Sequence, residues 1–278
     1  MSATHSHTHG ATCEGHSHEP AAVLQLPLGG TPALTFNRVT FGYEGHPAVH
    51  HLNGTVAAGS LLAVIGPNGS GKSTLMKGLA GVLPPLEGSI DFHGLSRRDI
   101  AYLPQQADID RSFPMTVSDL VALGLWRQIG PWRGLTRVHR EIMARAIVTV
   151  GLEGFEARTL DTLSGGQLQR ALFARVLAQD SQLILLDEPL NAIDNKTSAD
   201  LTALIQRWHG EGRTVMTVLH DLNLVKNLFP AALLLAREAI AWGPVASVVT
   251  PANLERARAM SERWDDNAPW CSGAKQRA

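Results

Sequence analysis

The segment Gly66-Pro67-Asn68-Gly69-Ser70-Gly71-Lys72-Ser73-Thr74 constrains this chain more than any other stretch. It fits the pattern G-x-x-x-x-G-K-[ST], with the short apolar run Leu61–Ile65 before it and helical spacing over Lys72–Leu83 after it. A strand that turns through glycines into a helix aims several backbone N–H groups at one hollow, and the helix N-terminus adds positive potential there. Lys72 supplies a point charge suited to β- and γ-phosphates, and the Ser73 hydroxyl suits Mg²⁺. These residues predict a strand–loop–helix cradle, Gly66 to Thr74, for a nucleoside triphosphate held with Mg²⁺.

A second segment, Leu183-Ile184-Leu185-Leu186-Asp187-Glu188, reads as a buried strand ending in two carboxylates. Ligands of parallel sheets sit at the carboxyl ends of strands. Asp187 is therefore expected in the Mg²⁺ shell, and Glu188 is placed to take a proton from an attacking water. Thr214–Leu219 is a further buried-strand candidate. Short apolar runs separated by helical stretches imply a parallel sheet with both faces covered.

Those two segments describe a very broad class of nucleotide hydrolases. Leu163-Ser164-Gly165-Gly166-Gln167, opening the helical stretch Leu168–Ala178, narrows it. A Ser-Gly-Gly at a helix start is a second anion site, built from backbone N–H groups like the first. Without a lysine it suits clamping a phosphate already held elsewhere, the plainer reading being a turn with a serine cap.

Taken in order, GPNGSGKS, LSGGQ and LILLDEP resemble the ABC ATPase family over roughly residues 33–250. The resemblance implies an α/β P-loop domain with a parallel core sheet, an antiparallel β subdomain and an inserted α-helical subdomain over about 106–164. It implies that Tyr43 stacks on adenine and that Gln105, in preference to Gln106, links the metal site to the helical subdomain. Asp194, in Asn191-Ala192-Ile193-Asp194, would lie in a loop at a dimer interface, with Asn191 where serine is common. His220 would reach the γ-phosphate. Two ATP molecules would be sandwiched in a homodimer, each on one P-loop and clamped by Ser164 and Gly166 of the other subunit. The implied partners are transmembrane permease subunits and, indirectly, a secreted or periplasmic metal-binding protein.

The segment 112–132 would meet the permease, and its Phe113, Met115, Trp126, Ile129 and Trp132 suit either a docking surface or that subdomain's own core. Asp110-Arg111-Ser112-Phe113-Pro114-Met115-Thr116-Val117 resembles the matching segment of zinc and manganese uptake ATPases, and the whole looks most like the ATPase of a bacterial zinc importer. A siderophore or haem importer is the alternative. A soluble ABC ATPase of DNA repair or translation is disfavoured, since this chain lacks coiled-coil insertions and a second nucleotide domain.

Composition bounds the rest. Lys+Arg number 24 and Asp+Glu 25, so no basic excess points to nucleic acid. Cys13 and Cys271 give no disulfide framework. The apolar stretches Ser60–Ile65, Gln182–Leu186 and Ala231–Ala236 fall far short of the roughly 20 residues of a spanning helix. Membrane work would then pass through a partner, with this chain peripheral at the cytoplasmic face. Residues 1–31, rich in His, Ser, Thr, Gly and Pro, read as a disordered tail, and 251–278 as a C-terminal helix (Ala252–Trp264) and tail. Within the first tail His5, His7, His9, His16 and His18 crowd around Cys13, a set suited to Zn²⁺ if the tail is more than an inert polar segment.

Overall fold

The computed structural model describes residues 30–44, 46–130 and 133–263. The histidine cluster, both cysteines and Trp132 lie outside them. The chain opens with β1 (Pro32–Tyr43), β2 (His46–Ala57) and β3 (Leu61–Ile65), then α1 (Lys72–Leu79), β4 (Glu87–Asp91) and β5 (Ile100–Leu103). Three helices follow, α2 (Val117–Gly124), α3 (Trp126–Ile129) and α4 (Arg137–Thr149), then α5 (Gly165–Gln179). The remainder is β6 (Leu183–Asp187), α6 (Asn195–Gly210), β7 (Thr214–Val218), α7 (Leu222–Leu228), β8 (Ala231–Ala236), β9 (Glu238–Pro244), α8 (Val245–Val248) and α9 (Pro251–Arg263).

Six strands form the central sheet in the order β5-β6-β7-β3-β8-β9, parallel except for the β8–β9 pair. The core sheet is thus mixed at one edge, where β9 returns antiparallel. A second, antiparallel sheet has the order β2-β1-β4. Every residue of β3, β6, β7 and β8 is buried, the reason β3 and β8 read as unbroken apolar runs and β6 as one as far as Asp187, while β7 buries Thr214 and Thr217 among its apolar residues. The alternation of β3 divides the interior between two layers. Leu61, Ala63 and Ile65 face the cluster containing Phe173 and Trp208, whose rings stack at 5.7 Å between centroids. Leu62 and Val64 face the cluster of Leu75, Met76 and Leu79 from α1 with Phe36 and Phe41 from β1.

Helices α2 and α4 pack on α5 and extend the first cluster through Leu120, Val121, Met143 and Ile147. Thr116 and Asp119 close a capping box at the start of α2, which fixes where the helical region begins. Helix α9 docks on β8 and β9 and buries Ala257, so it belongs to the same core as the sheet. Because the sheet is parallel, β3, β5, β6 and β7 all end at one edge. The glycine loop, Gln105, Asp187-Glu188 and His220 follow those four strands and converge there.

Candidate active site

Two glycines of the loop between β3 and α1 are there for contact reasons. Gly71 has φ 92°, and a Cβ on it would collide with the Ala48 carbonyl oxygen; one on Gly66 would collide with the Leu235 carbonyl oxygen. The loop is therefore wedged between β2 and β8, and it lines a cleft of about 600 Å³. Asn68 to Thr74, Gln105, Glu188, Asn191, His220 and Ala48 line that cleft.

Lys72 is 5% exposed, and its ammonium donates to the Gly66 carbonyl at 3.0 Å and the Pro67 carbonyl at 2.8 Å. Burial pulls its pKa down, opposed by Glu188 and Asp187 nearby. Ser73 Oγ donates to Asp187 Oδ1 at 3.1 Å, and Gln105 Nε2 donates to Ser73 Oγ at 3.2 Å. Asp187 is completely buried, and its Oδ2 has no hydrogen-bond partner. Burial pushes the Asp187 carboxyl up to about 6. A buried carboxylate oxygen left unpaired beside a serine hydroxyl and a glutamine amide is an oxygen donor set fit for a hard divalent cation such as Mg²⁺. Across the β5–β6 register Tyr102 pairs with Leu185, which puts it on the same sheet face as Asp187. Its hydroxyl is also buried with no well-formed hydrogen bond, and burial, with the Asp187 carboxylate nearby, pushes the phenol up.

Glu188 follows the last residue of β6 with φ 50°, a left-handed conformation that costs a non-glycine residue about 1 kcal/mol or more. The strain turns its carboxylate into the cleft, where Oε1 pairs with His220 Nε2 at 2.5 Å and Oε2 accepts from Asn191 Nδ2 at 3.2 Å. Asn191 carries a side-chain contact to this carboxylate that its sequence neighbourhood did not announce. Ala48, in the β1–β2 hairpin, was equally silent, since no spacing links it to the glycine loop. Tyr43, at the end of β1, is 49% exposed and does not line the cleft.

Ser164 to Gln167 stand outside that cleft. Ser164 caps α5 in a closed box with Gln167: its Oγ accepts from the Gln167 N–H at 3.3 Å, and its own N–H donates to Gln167 Oε1 at 3.0 Å. Asp194 caps α6 by accepting from the Thr197 N–H at 2.9 Å, hydrogen bonds that hold its carboxyl below the ordinary range. A Cβ on Gly166 would stand 3.4 Å from Asp194 Oδ2, so the Ser-Gly-Gly turn and Asp194 are neighbours within one chain. Gln106, set aside in the sequence in favour of Gln105, donates to the Gly165 carbonyl at 2.6 Å. The adjacent glutamines thus point to different places. Among the described residues no cluster of three or more His, Cys, Asp or Glu is arranged to hold a metal ion, and no helix is long and apolar enough to cross a membrane.

A glycine cradle with a lysine, an acidic strand end and a hydrogen-bonded Glu–His pair at one sheet edge define a P-loop nucleotide hydrolase. The model of the ABC transporter family matches residues 49–191. The manganese transport system ATP-binding protein MntB of Halalkalibacterium halodurans is 37% identical over 224 residues, covering 79% of this chain and 89% of that protein. The zinc transport system ATP-binding protein TroB of Treponema pallidum is 37% identical over 232 residues, covering 81% and 86%. A solved metal-chelate-type ABC transporter in an inward-facing conformation superposes with a TM-score of 0.73 at 29% identity, covering 82% of this chain and 90% of that one. This chain belongs to the ABC transporter family and is an ATP-binding, ATP-hydrolysing subunit.

Proposed function

We propose that this subunit powers import of a divalent transition metal, zinc or manganese, by closing and opening a nucleotide-sandwich homodimer against membrane permease subunits. The observation that carries the catalytic part is the strained Glu188, fixed by His220 at 2.5 Å and Asn191 at 3.2 Å in the cleft that holds Lys72. In this reading ATP lies with its adenine on Tyr43 and its phosphates among the amides of Gly69 to Thr74. Lys72 leaves the Gly66 and Pro67 carbonyls for the β- and γ-phosphates, a stronger charge-assisted pairing. Mg²⁺, when bound, neutralises charge on the phosphate oxygens, and Ser73, Gln105 and Asp187 are the residues that would hold it. Glu188 accepts the proton of the attacking water, while His220 orients that carboxylate and reaches the γ-phosphate. Ser164 and Gly166 of the second subunit close over the same phosphate from outside the cleft, and Asp194 lies beside them at the interface.

Phe113 is 60% exposed and Trp126 54% exposed, whereas Ile129 is buried and Met115 packs against the core. The first pair supports a permease contact; the second pair serves the subdomain itself. The domain limits proposed are 32–250 for the cassette, with helical subdomain about 106–164, followed by a C-terminal helix. The subunit would sit peripherally at the cytoplasmic membrane face, and a secreted or periplasmic protein would deliver the metal to the permease. The metal assignment rests on the manganese and zinc systems served by the relatives, and the metal-chelate transporter favours a chelated-iron, siderophore or haem cargo as the second reading.

Glu188→Gln tests the catalytic part. The amide keeps the shape and loses the proton acceptor, so turnover should fall by about a hundredfold or more while ATP binding persists and an ATP-bound dimer accumulates. Turnover within a few-fold of the parent would remove Glu188 from the role.

A further inference from the structure

The turn after β5 is fastened on three sides. Gln105 reaches Ser73 on α1 at 3.2 Å, and Asp108 pairs with Lys77 at 3.0 Å, one helical turn further along the same face of α1. Between them Gln106 points the other way and donates to the carbonyl of Gly165, the first residue of α5, at 2.6 Å. A backbone carbonyl has two lone pairs, so Gly165 can accept this bond and still take its place in the helix ladder. The turn is therefore a bracket with two feet on the helix of the glycine loop and one arm on the Ser-Gly-Gly turn.

Within one subunit those two ends serve different ATP molecules: Ser73 belongs to the nucleotide on its own loop, whereas Gly165 belongs to the clamp for the nucleotide on the partner. We infer that Gln106 is a positioning residue that ties the clamp to the metal side of the same chain, so that order at one nucleotide site sets the aim of the clamp at the other. This rests on the sandwich reading above. Donors that bind a phosphate must be held within about 0.5 Å and 10–20° of their productive placement. Ser164 is exposed and hydrogen-bonds to its own helix through Gln167; Asp194 and Thr197 stand beside Gly166, and the Gly165 carbonyl is where a side chain from outside, Gln106, hydrogen-bonds to that turn.

The test is ATP-driven dimerisation of the full chain in the Glu188→Gln background, followed by sizing chromatography or light scattering over a range of Mg-ATP concentrations. Gln106→Leu keeps the bulk and removes the donor; Gln106→Arg keeps a donor. A neutral hydrogen bond is worth about fivefold in an equilibrium, and a dimer loses two of them, so the dimerisation constant should fall about twenty-fivefold; because each dimer takes up two ATP, Gln106→Leu should need about fivefold more ATP for half-maximal dimer. Its affinity for a fluorescent ATP analogue, read at a protein concentration too low for dimers, should stay within about twofold of the parent, and Gln106→Arg should recover most of the dimer. Dimerisation of Gln106→Leu at the parental ATP concentration would overturn the inference. So would an equal loss in monomer binding, or an arginine variant no better than the leucine one. Ser164→Arg is the control for the clamp itself: it should abolish the dimer. A Ser164→Arg chain that still dimerises sinks the clamp reading and this inference with it, whereas a blocked Ser164→Arg beside an unaffected Gln106→Leu sinks this inference alone.

Discussion

Replacing Asp187 by asparagine separates what this carboxylate would do for a metal from what it costs the fold. Its side chain is completely buried, and burial lifts the carboxyl from 3.8 to about 6. Between those two values the folded chain binds more protons than the unfolded one, so stability falls as pH rises through that window, and the full penalty stands above the folded value. The penalty works out at about 3 kcal/mol at pH 7 and about 1 kcal/mol at pH 4.5. Asparagine keeps an oxygen for the Ser73 hydroxyl but never ionises. Its amide N–H₂ takes the place of Oδ2, an atom without a partner, and adds a pH-independent cost of about 1 kcal/mol. The pH-dependent part is the diagnostic quantity. In urea unfolding without nucleotide or Mg²⁺, Asp187→Asn should gain about 2 kcal/mol on the parent between pH 4.5 and pH 7. It should also lose Mg²⁺-dependent ATP turnover. A stability difference that does not grow over this range refutes the buried-acid reasoning, whatever happens to activity.

Two other perturbations test charge and cargo. Lys72→Ala removes the ammonium from the cradle and should weaken equilibrium binding of labelled ATP by at least about tenfold, the loss of more than one charge-assisted hydrogen bond; unchanged affinity in a folded variant counts against the cradle. Removal of residues 1–20 should abolish Zn²⁺ binding in calorimetric titration and leave basal ATPase activity intact, and binding by the full chain should fade below about pH 6.5, where imidazole protonates. Equal Zn²⁺ binding by both chains would place the ions elsewhere.

The parts of the fold legible in the sequence are those where a local rule is strict. Leu61–Ile65 and the Leu183–Leu186 part of β6 announce themselves because strands buried on both faces favour continuous apolar runs. The glycine loop is legible because its backbone must pass so near Ala48 and Leu235 that side chains are excluded. Spacing, by contrast, carries no trace of contacts that depend on how loops meet. Ala48 reaches the cleft only because β2 pairs along β1 and returns to the loop. Helix α1 stops at Leu79, short of the periodic pattern through Leu83, because Gly81 at φ 73° turns the chain away toward β4. The antiparallel β9 edge likewise follows from a tight return after β8, with Arg237 at φ 62° between them, and alternation within β9 gives no hint of direction. The duplicated glutamine posed the question of 105 against 106, and in the structure the two side chains part, Gln105 toward Ser73 and Gln106 toward the Gly165 carbonyl.

The Ser164 geometry bears on whether a helix cap and a phosphate clamp can share one side chain. As a cap, Ser164 Oγ accepts the Gln167 N–H at 3.3 Å, a use that consumes one lone pair. A hydroxyl has a second lone pair and a hydrogen of its own, so it can donate to a phosphate oxygen without giving up the cap. The reciprocal bond from the Ser164 N–H to Gln167 Oε1 fixes the side chain of Gln167, leaving the first-turn amides of α5, which have no intrahelical acceptor, as the remaining donors. Such a turn offers an anion chiefly dipoles, since the Arg170 guanidinium near it is already engaged with the Thr197 hydroxyl and the Asp200 carboxylate. Dipoles acting on a solvated nucleotide are weak; the same dipoles acting on a phosphate already desolvated in another subunit's cradle work at a lower effective dielectric and count for more. The asymmetry between the two anion sites of this chain, one with a buried lysine and one capped and exposed, is what would make closure depend on ATP being bound first.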